Sequence, residues 1–338
     1  MPSGVLREGS SHYHLLLTRA YASAWLAARH HGRPEAAALE SIVSKMIAVI
    51  PRLALSGGFP LVGDVSPDCP PAFLMGLLPK ATPQADWLGG LDDDRSVFMK
   101  LRDRIPPASI ERLAADGWLR SDVGPWSGLW HAAPEGLAAM PGHGHQDSGS
   151  FELHYGSLPV IRDPGRGAYG DSGDAAHFRS AAAHNGVTLD DNDPFPPNKP
   201  YYDPAFRRAV SGPAPRLYRE GDQVIVEHHG FARLGNVGRA TRSWRFDGSS
   251  VRLDDHMEGS GRRRLCRRLH TTLSVAQTGD AIVLTNGSKR FRLLSDQPVQ
   301  TRSTTYWSAY GLGEPATVIE IAEDSALPWT ATLKIEAI

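Results

Sequence analysis

The run Gly142-His143-Gly144-His145-Gln146-Asp147-Ser148-Gly149-Ser150-Phe151-Glu152-Leu153-His154-Tyr155-Gly156-Ser157-Leu158-Pro159-Val160-Ile161 carries both a candidate chemistry and the fold class. From Phe151 to Tyr155 the side chains alternate, the chain turns at Gly156-Ser157, and an apolar segment follows from Leu158 to Ile161. Alternation with period two aims every second side chain at one face, which reads as strand–turn–strand. On an extended backbone His143 and His145 would share a face, so two imidazoles would stand side by side.

Toward the C-terminus the same signals recur. Val224-Ile225-Val226-Glu227 and Val251-Arg252-Leu253 read as strands. Ala281-Ile282-Val283-Leu284-Thr285 meets Asn286-Gly287 and then Phe291-Arg292-Leu293, an Asn-Gly hairpin that rests on the tolerance of both turn residues for positive φ. Strands at regular spacing with no helices between them predict a large antiparallel β-sandwich over 118–338. Toward the N-terminus the period changes. Ser10 or Ser11 can cap a helix over 13–31, which Gly32 and Pro34 stop. Leu39, Ile42, Val43, Met46, Ile47, Ile50 and Leu53 then follow a 3.6-residue period, a second helix over 34–53. So short a link makes the two antiparallel neighbours, a hairpin over 1–55. Residues 56–117 show no sustained period and read as a Gly- and Pro-rich connector, with short helices near 73–78, 94–104 and 109–116. The predicted class is α+β.

The 338 residues are enough for a sizeable core and two domains. A net charge of −1 gives no whole-protein field favouring nucleic acid or a membrane surface. No apolar run reaches the length of a membrane span, and no signal peptide opens the chain. Two cysteines, Cys69 and Cys266, are too few for a disulfide framework.

His145, Asp163 in Arg162-Asp163-Pro164-Gly165, and His184 in Ala183-His184-Asn185 are chemically suited to hold one divalent metal: two imidazoles and a carboxylate, with room for water or substrate. Fourteen histidines are spread along the chain, so a pair two apart also arises by chance. Asp147 is a rival oxygen ligand or a turn-capping residue. Arg179 and Asn185 flank the last of the three and are candidate substrate-binding groups, one by bidentate pairing with a carboxylate and one by amide hydrogen bonding. The basic run Arg262-Arg263-Arg264-Leu265-Cys266-Arg267-Arg268 reads as a solvated edge strand rather than an anion groove.

Three blocks resemble the heparinase II/III family of polysaccharide lyases: the run from Gly142 to Leu153, Asp163-Pro164-Gly165-Arg166-Gly167-Ala168-Tyr169, and Phe178-Arg179-Ser180-Ala181-Ala182-Ala183-His184-Asn185. Glu8-Gly9-Ser10-Ser11-His12-Tyr13-His14 is similar to that family's Glu-x-Ser-x-x-Tyr-His element, which carries its catalytic tyrosine. The resemblance implies an incomplete (α/α) toroid, of which the hairpin would be the last part, followed by the sandwich. It implies Tyr13 as the proton-transfer residue, His143 as second acid or base, and His145, Asp163 and His184 around a structural metal, expected to be zinc. The implied substrate is an acidic polysaccharide. The implied reaction is β-elimination, which leaves a 4,5-unsaturated uronate end. The implied location is periplasmic or secreted.

In the resembled family, helices upstream of the tyrosine close the toroid and supply the group that neutralises the substrate carboxylate. With Tyr13 so near Met1, the chain reads as the C-terminal part of a longer lyase. The hairpin is then expected to expose a broad apolar face through which copies self-associate. Two other functions stay open: a non-catalytic carbohydrate-binding fragment, and a metal-dependent glycan hydrolase.

Overall fold

The computed structural model describes residues 1–82, 86–133, 143–197, 203–279 and 281–338. Gly142, quoted above, lies outside them. Helix α1 spans Ser11–His30 and α2 spans Ala36–Leu53. Ser10 caps α1: its Oγ accepts from the Tyr13 backbone N–H at 3.0 Å, satisfying one of the helix's orphan donors. The two helices pack antiparallel, and α2 buries Val43, Met46, Ile47, Ile50 and Leu53, the periodic positions of the sequence.

The apolar face of this hairpin is not open. Residues 71–82 and 86–105 fold back over it, with α3 (Pro71–Leu74), a turn at Trp87–Leu91, and α4 (Asp94–Arg104). Leu74, Leu77, Trp87, Leu88, Phe98 and Leu101 close one core with Leu15, Trp25, Leu26, Ile47 and Ile50. Of the hairpin's large apolar side chains only Tyr21 and Ile42 are exposed. The broad exposed apolar face expected from the sequence is therefore covered on these two helices. A segment without period still carries enough large apolar side chains to cover two helices. Helix α5 (Ile110–Ala115) ends the helical part, capped by Ser109.

The strands follow in order. The first are β1 (Trp118–Val123), β2 (Trp126–His131), β3 (Ser150–Tyr155), β4 (Leu158–Ile161) and β5 (Val187–Leu189); β4 and β5 are separated by a loop holding the short helix α6 (Gly173–His177). Next come β6 (Arg216–Glu220), β7 (Gln223–His228), β8 (Val237–Asp247), β9 (Ser250–Gly259) and β10 (Arg262–Thr271). The last are β11 (Ser274–Thr278), β12 (Ala281–Thr285), β13 (Arg290–Ser295), β14 (Gln300–Ala309), β15 (Leu312–Ala326) and β16 (Trp329–Ala337).

They form three antiparallel sheets, ordered β1-β2-β3-β4, β14-β15-β10-β5 and β11-β12-β13-β16-β9-β8-β7-β6. The main core lies between them and is rich in aromatics: Trp126, Trp130, Phe151, Trp244, Phe246 and Phe291. A smaller cluster, in which Val49 and Leu53 of α2 meet Trp118 and Leu129, fastens the hairpin to the first sheet.

The basic run is also corrected. It forms β10, an interior strand paired with both β15 and β5. Arg267 and Arg268 are buried; Arg268 Nε lies 3.2 Å from Glu320 and Arg267 reaches Asp255 and Asp296. Carboxylates from other strands supply the partners that a linear reading cannot see. Among the described residues no helix is long and apolar enough to cross a membrane.

Candidate active site

The hairpin and the sandwich meet at Asp64, a residue no motif marked. The segment through Gly63 threads between Gly9 and His143: a Cβ on Gly63 would lie 2.4 Å from Gly9 O and 2.7 Å from His143 O, and its φ is +76°. Only glycine meets both conditions. The passage is pinned on each side, by Asp64 N donating to His143 O at 2.8 Å and Ser10 Oγ donating to Asp64 O at 2.7 Å. The cap of α1 thereby ties Tyr13 to Asp64.

The Asp64 carboxylate then gathers three cationic or imidazole groups. His143 Nδ1 lies 3.0 Å from Oδ2, His145 Nε2 lies 2.8 Å from Oδ1, and the Arg166 guanidinium pairs with Oδ1. Burial would raise this carboxyl, but hydrogen bonds from His143 and His145 outweigh it and hold Asp64 well below the usual carboxylate range. An ionised Asp64 accepts a hydrogen bond from His143 Nδ1–H and leaves Nε2 as the other ring nitrogen, 3.4 Å from Glu8.

Tyr13 and His143 are brought together directly. Their rings stack at 3.7 Å between centroids with planes 11° apart. The Tyr13 hydroxyl lies 3.2 Å from the hydroxyl of Tyr169, which is also 3.3 Å from Val65 O. Tyr169 was quoted only as part of a block. It is held by the Arg166 guanidinium 4.1 Å from its ring centroid and by Tyr310, whose ring stacks on it at 5.4 Å. Burial pushes the Tyr169 phenol up, and the neighbouring Asp64 charge adds to this. Tyr169 therefore stays a proton-bearing partner for Tyr13.

His145, Asp163 and His184 come together as a chain rather than around one point. Asp163 Oδ2 lies 2.9 Å from His184 Nδ1, and His184 Nε2 lies 3.2 Å from His145 Nδ1 and 3.0 Å from Phe178 O. Burial alone would lower His184, but the Asp163 carboxylate outweighs it and raises the imidazole to about 9. Burial lowers His145, and the His184 charge adds to that. One assignment satisfies every atom: cationic His184 donates from both nitrogens, and neutral His145 donates from Nε2 to Asp64.

As metal ligands these residues fit in part. The two facing nitrogens are spaced about as two ligands on one tetrahedral ion would be, given bonds of roughly 2.0–2.1 Å, and a carboxylate backs each ring as metal-bound histidines require. In this arrangement Asp163 lies on the far nitrogen of His184 and backs that ring. Among the described residues no group of three His, Cys, Asp or Glu side chains is arranged to hold a metal. Asp147 is buried with Oδ1 2.7 Å from His131 Nδ1, and its Oδ2 has no partner.

Asn185 does not face a ligand. Its amide donates to Phe151 O and Arg162 O, both at 2.8 Å, and its oxygen accepts from His270 N at 2.7 Å. It is fully buried. The substrate-binding expectation for Asn185 is corrected: it locks β3, β10 and the loop after β4 together. Arg179 is partly exposed, with NH1 3.9 Å from Asp171 Oδ1, and its carbonyl accepts from Gln146 N beside His145.

Residues 105–331 match the family model described as heparinase II/III-like, C-terminal, and the chain belongs to that family, which is one of polysaccharide lyases. Among solved structures, a heparan sulfate lyase from Pedobacter heparinus is similar over 100% of this chain and 53% of its own, at 17% identity and a TM-score of 0.66. A heparinase III is similar at 17% identity and a TM-score of 0.69, over 100% of this chain and 53% of that one. Another is similar at 15% identity and a TM-score of 0.62, over 100% and 55%. At these identities the likeness establishes the fold. The chain spans about half the length of these relatives. No curated protein matches it by sequence.

Proposed function

We propose that the Tyr13–His143 site cleaves a uronic-acid-containing polysaccharide by β-elimination. The observation that carries this reading is the stacked phenol–imidazole pair, both rings of which are only partly buried. Elimination needs a base for the C5 proton, which is weakly acidic beside the carboxylate, and an acid for the leaving O4. His143 Nε2 takes the C5 proton, and Asp64 holds the ring and stabilises the imidazolium that forms. The C4–O4 bond breaks as the C4=C5 bond forms. The Tyr13 hydroxyl gives its proton to O4, and Tyr169 fixes the direction of that hydroxyl. A protonated phenol suits the acid role, because with an ordinary pKa of about 10 it needs no activation to donate. Arg179 is the cation proposed to meet the substrate carboxylate.

The zinc implied by the resemblance is kept as a proposal of a structural ion held by His145, Asp163 and His184. Once bound it would supply fixed positive charge where a proton otherwise bridges the rings. Metal analysis before and after His145→Ala tests this, with one equivalent expected in the parent protein and none in the variant.

The function is tested by ultraviolet absorbance of the conjugated product on a panel of acidic polysaccharides. Tyr13→Phe should lower the rate by roughly 10²- to 10⁴-fold, the usual weight of a positioned acid. New reducing ends without new absorbance would mean hydrolysis. Saturable binding with neither product would mean a binding module.

A further inference from the structure

A second cavity, of about 230 Å³, opens on the outer side of the loop that carries Asp163 and His184. Phe178 and Trp307 wall it with aromatic surface, their rings 5.7 Å apart and nearly perpendicular. Thr304 and Thr305 of β14 add hydroxyls, and Asp174 of α6 stands at the rim. His270 of β10 forms the floor.

His270 gives the cavity a chemical direction. It is 95% buried, since only 5% of its surface is exposed. Its Nδ1 lies 3.1 Å from Asn185 Oδ1, an acceptor, so Nδ1 carries the ring proton. Burial pushes the imidazole down to about 3, which keeps it neutral. Its Nε2 is then a bare lone pair with no hydrogen-bond partner among the described residues. This Nε2 is not among the buried atoms left unpaired, so it is an acceptor open to a donor that enters the cavity.

The cavity is also joined to the active-site loop. Trp307 N donates to Pro164 O at 2.8 Å, and the carbonyl of Phe178 lies 3.0 Å from His184 Nε2. The indole covers Gly167 so closely that a Cβ there would come within 2.3 Å of the ring. Whatever fills the cavity bears on the loop that sets Asp163, Arg166 and Tyr169.

We propose that this cavity is a sugar subsite for one pyranose ring that lacks a carboxylate, such as a neutral hexose or an amino sugar. Aromatic walls suit the apolar C–H faces of such a ring. A hydroxyl donates to His270 Nε2, others meet Thr304 and Thr305, and Asp174 receives a hydroxyl or an ammonium group. Burial lowers the imidazole of His177, also in the lining, so the Asp174 charge at the rim disfavours a uronate and the subsite complements the Tyr13 site. The inference rests on the proposed reading only in taking a glycan as the ligand.

Ligand-observed NMR titrations with methyl glucoside, glucosamine and glucuronate test it without any turnover. The parent protein should bind the first two saturably and glucuronate at least tenfold more weakly. Asp174→Asn, at an exposed rim position, should weaken glucosamine by roughly tenfold, the weight of one charge-assisted hydrogen bond, and narrow the gap to glucuronate. Thr304→Val and Thr305→Val, made singly, should show at least one that weakens methyl glucoside. Tyr13→Phe should leave the methyl glucoside and glucosamine titrations unchanged. No saturable binding in the parent protein would overturn the subsite. So would binding indifferent to the Asp174 and threonine variants, or binding lost with Tyr13→Phe, which would place the sugar in the cleft. If the subsite binds while no polysaccharide yields ultraviolet absorbance, the elimination reading fails and the subsite stands.

Discussion

The aromatic interior between the sheets and the polar web around Asp64 are both sealed from water, yet they are held by different physics. Trp130, Phe151, Trp244 and Phe246 are buried by area, and their ring contacts at 5.1–6.0 Å are edge-on and local to facing strands. Asp64, His145, Asp163, Arg166 and His184 are buried as charges and imidazoles, each dependent on a partner far away in sequence. Removing a ring from the first region leaves a cavity. Removing one member of the second leaves an unpaired charge, and also disturbs Tyr13 and His143.

The sharpest way to break this comparison is to delete its hub. Asp64→Ala strands Arg166, His143 and His145 together, and loss of one partner from a buried ion pair costs about 3–5 kcal/mol. Trp244→Ala should cost a similar amount, about 3–5 kcal/mol, through its cavity. The two should separate in activity. At a temperature where both are folded, the Trp244 variant should keep its rate per folded molecule. The Asp64 variant should lose nearly all of it, because His143 is no longer oriented, and Asp64→Asn should recover stability more than rate. Equal activity in the two variants would show that the polar web is structural only. Urea unfolding and the ultraviolet assay supply both readings.

The two regions also differed in how far they could be read. Alternation around Phe151, the Asn286-Gly287 turn and the period of α2 are local signals, and local signals survive in a single sequence. The covering of the hairpin by Trp87 and Phe98 had no period to announce it, because short helices and turns bury side chains irregularly. Asp64 sits in Gly63-Asp64-Val65, with nothing nearby to distinguish it from a turn residue; a carboxylate shared by His143, His145 and Arg166 is visible only in three dimensions. Tyr169 had a place in a quoted block but no role until its hydroxyl was seen beside Tyr13. Asn185 and the arginines of β10 were misread for one reason: polar residue types favour the surface unless partners arrive from other strands, and those partners are not sequence neighbours.

A smaller effect separates the regions by pH. His12 and His14, on either side of Tyr13, are each pushed down to about 4, chiefly by burial. His14 accepts from Leu6 N at Nδ1 and meets Met46 O at Nε2, so a second proton breaks a bond. In the unfolded chain these groups take protons near pH 6.5. Between about 6.5 and 4 the unfolded state binds more protons, so stability falls as pH is lowered through that window. Asp64 acts in the same direction at lower pH: its pKa is depressed, so its contribution is complete above the usual carboxylate range and is lost as pH falls below it. The expected outcome is a loss of a few kcal/mol in urea stability from pH 7 to 4.5, reduced in His14→Gln measured against its own value at pH 7. A flat profile would show that the helix start is not sealed.

The smallest expected effect lies at the outer surface of the hairpin. Tyr21 and Ile42 are 39% and 41% exposed and stand outside the core that Leu74, Trp87 and Phe98 close. Exposed side chains without such contacts change stability by within about 0.5 kcal/mol when replaced. Tyr21→Ser and Ile42→Ser should therefore leave urea midpoints unchanged, whereas Phe98→Ala, inside that core, should cost roughly 3–5 kcal/mol. Light scattering on the same proteins reads the mass. If the two serine variants stabilise the protein or lower its mass in solution, the outer face is in contact with another copy and the chain over 71–82 and 86–105 does not finish the helical core. If they change nothing while Phe98→Ala unfolds the hairpin, the helical part is closed by its own chain, and the cleft at Tyr13 rests on a support that needs no other copy.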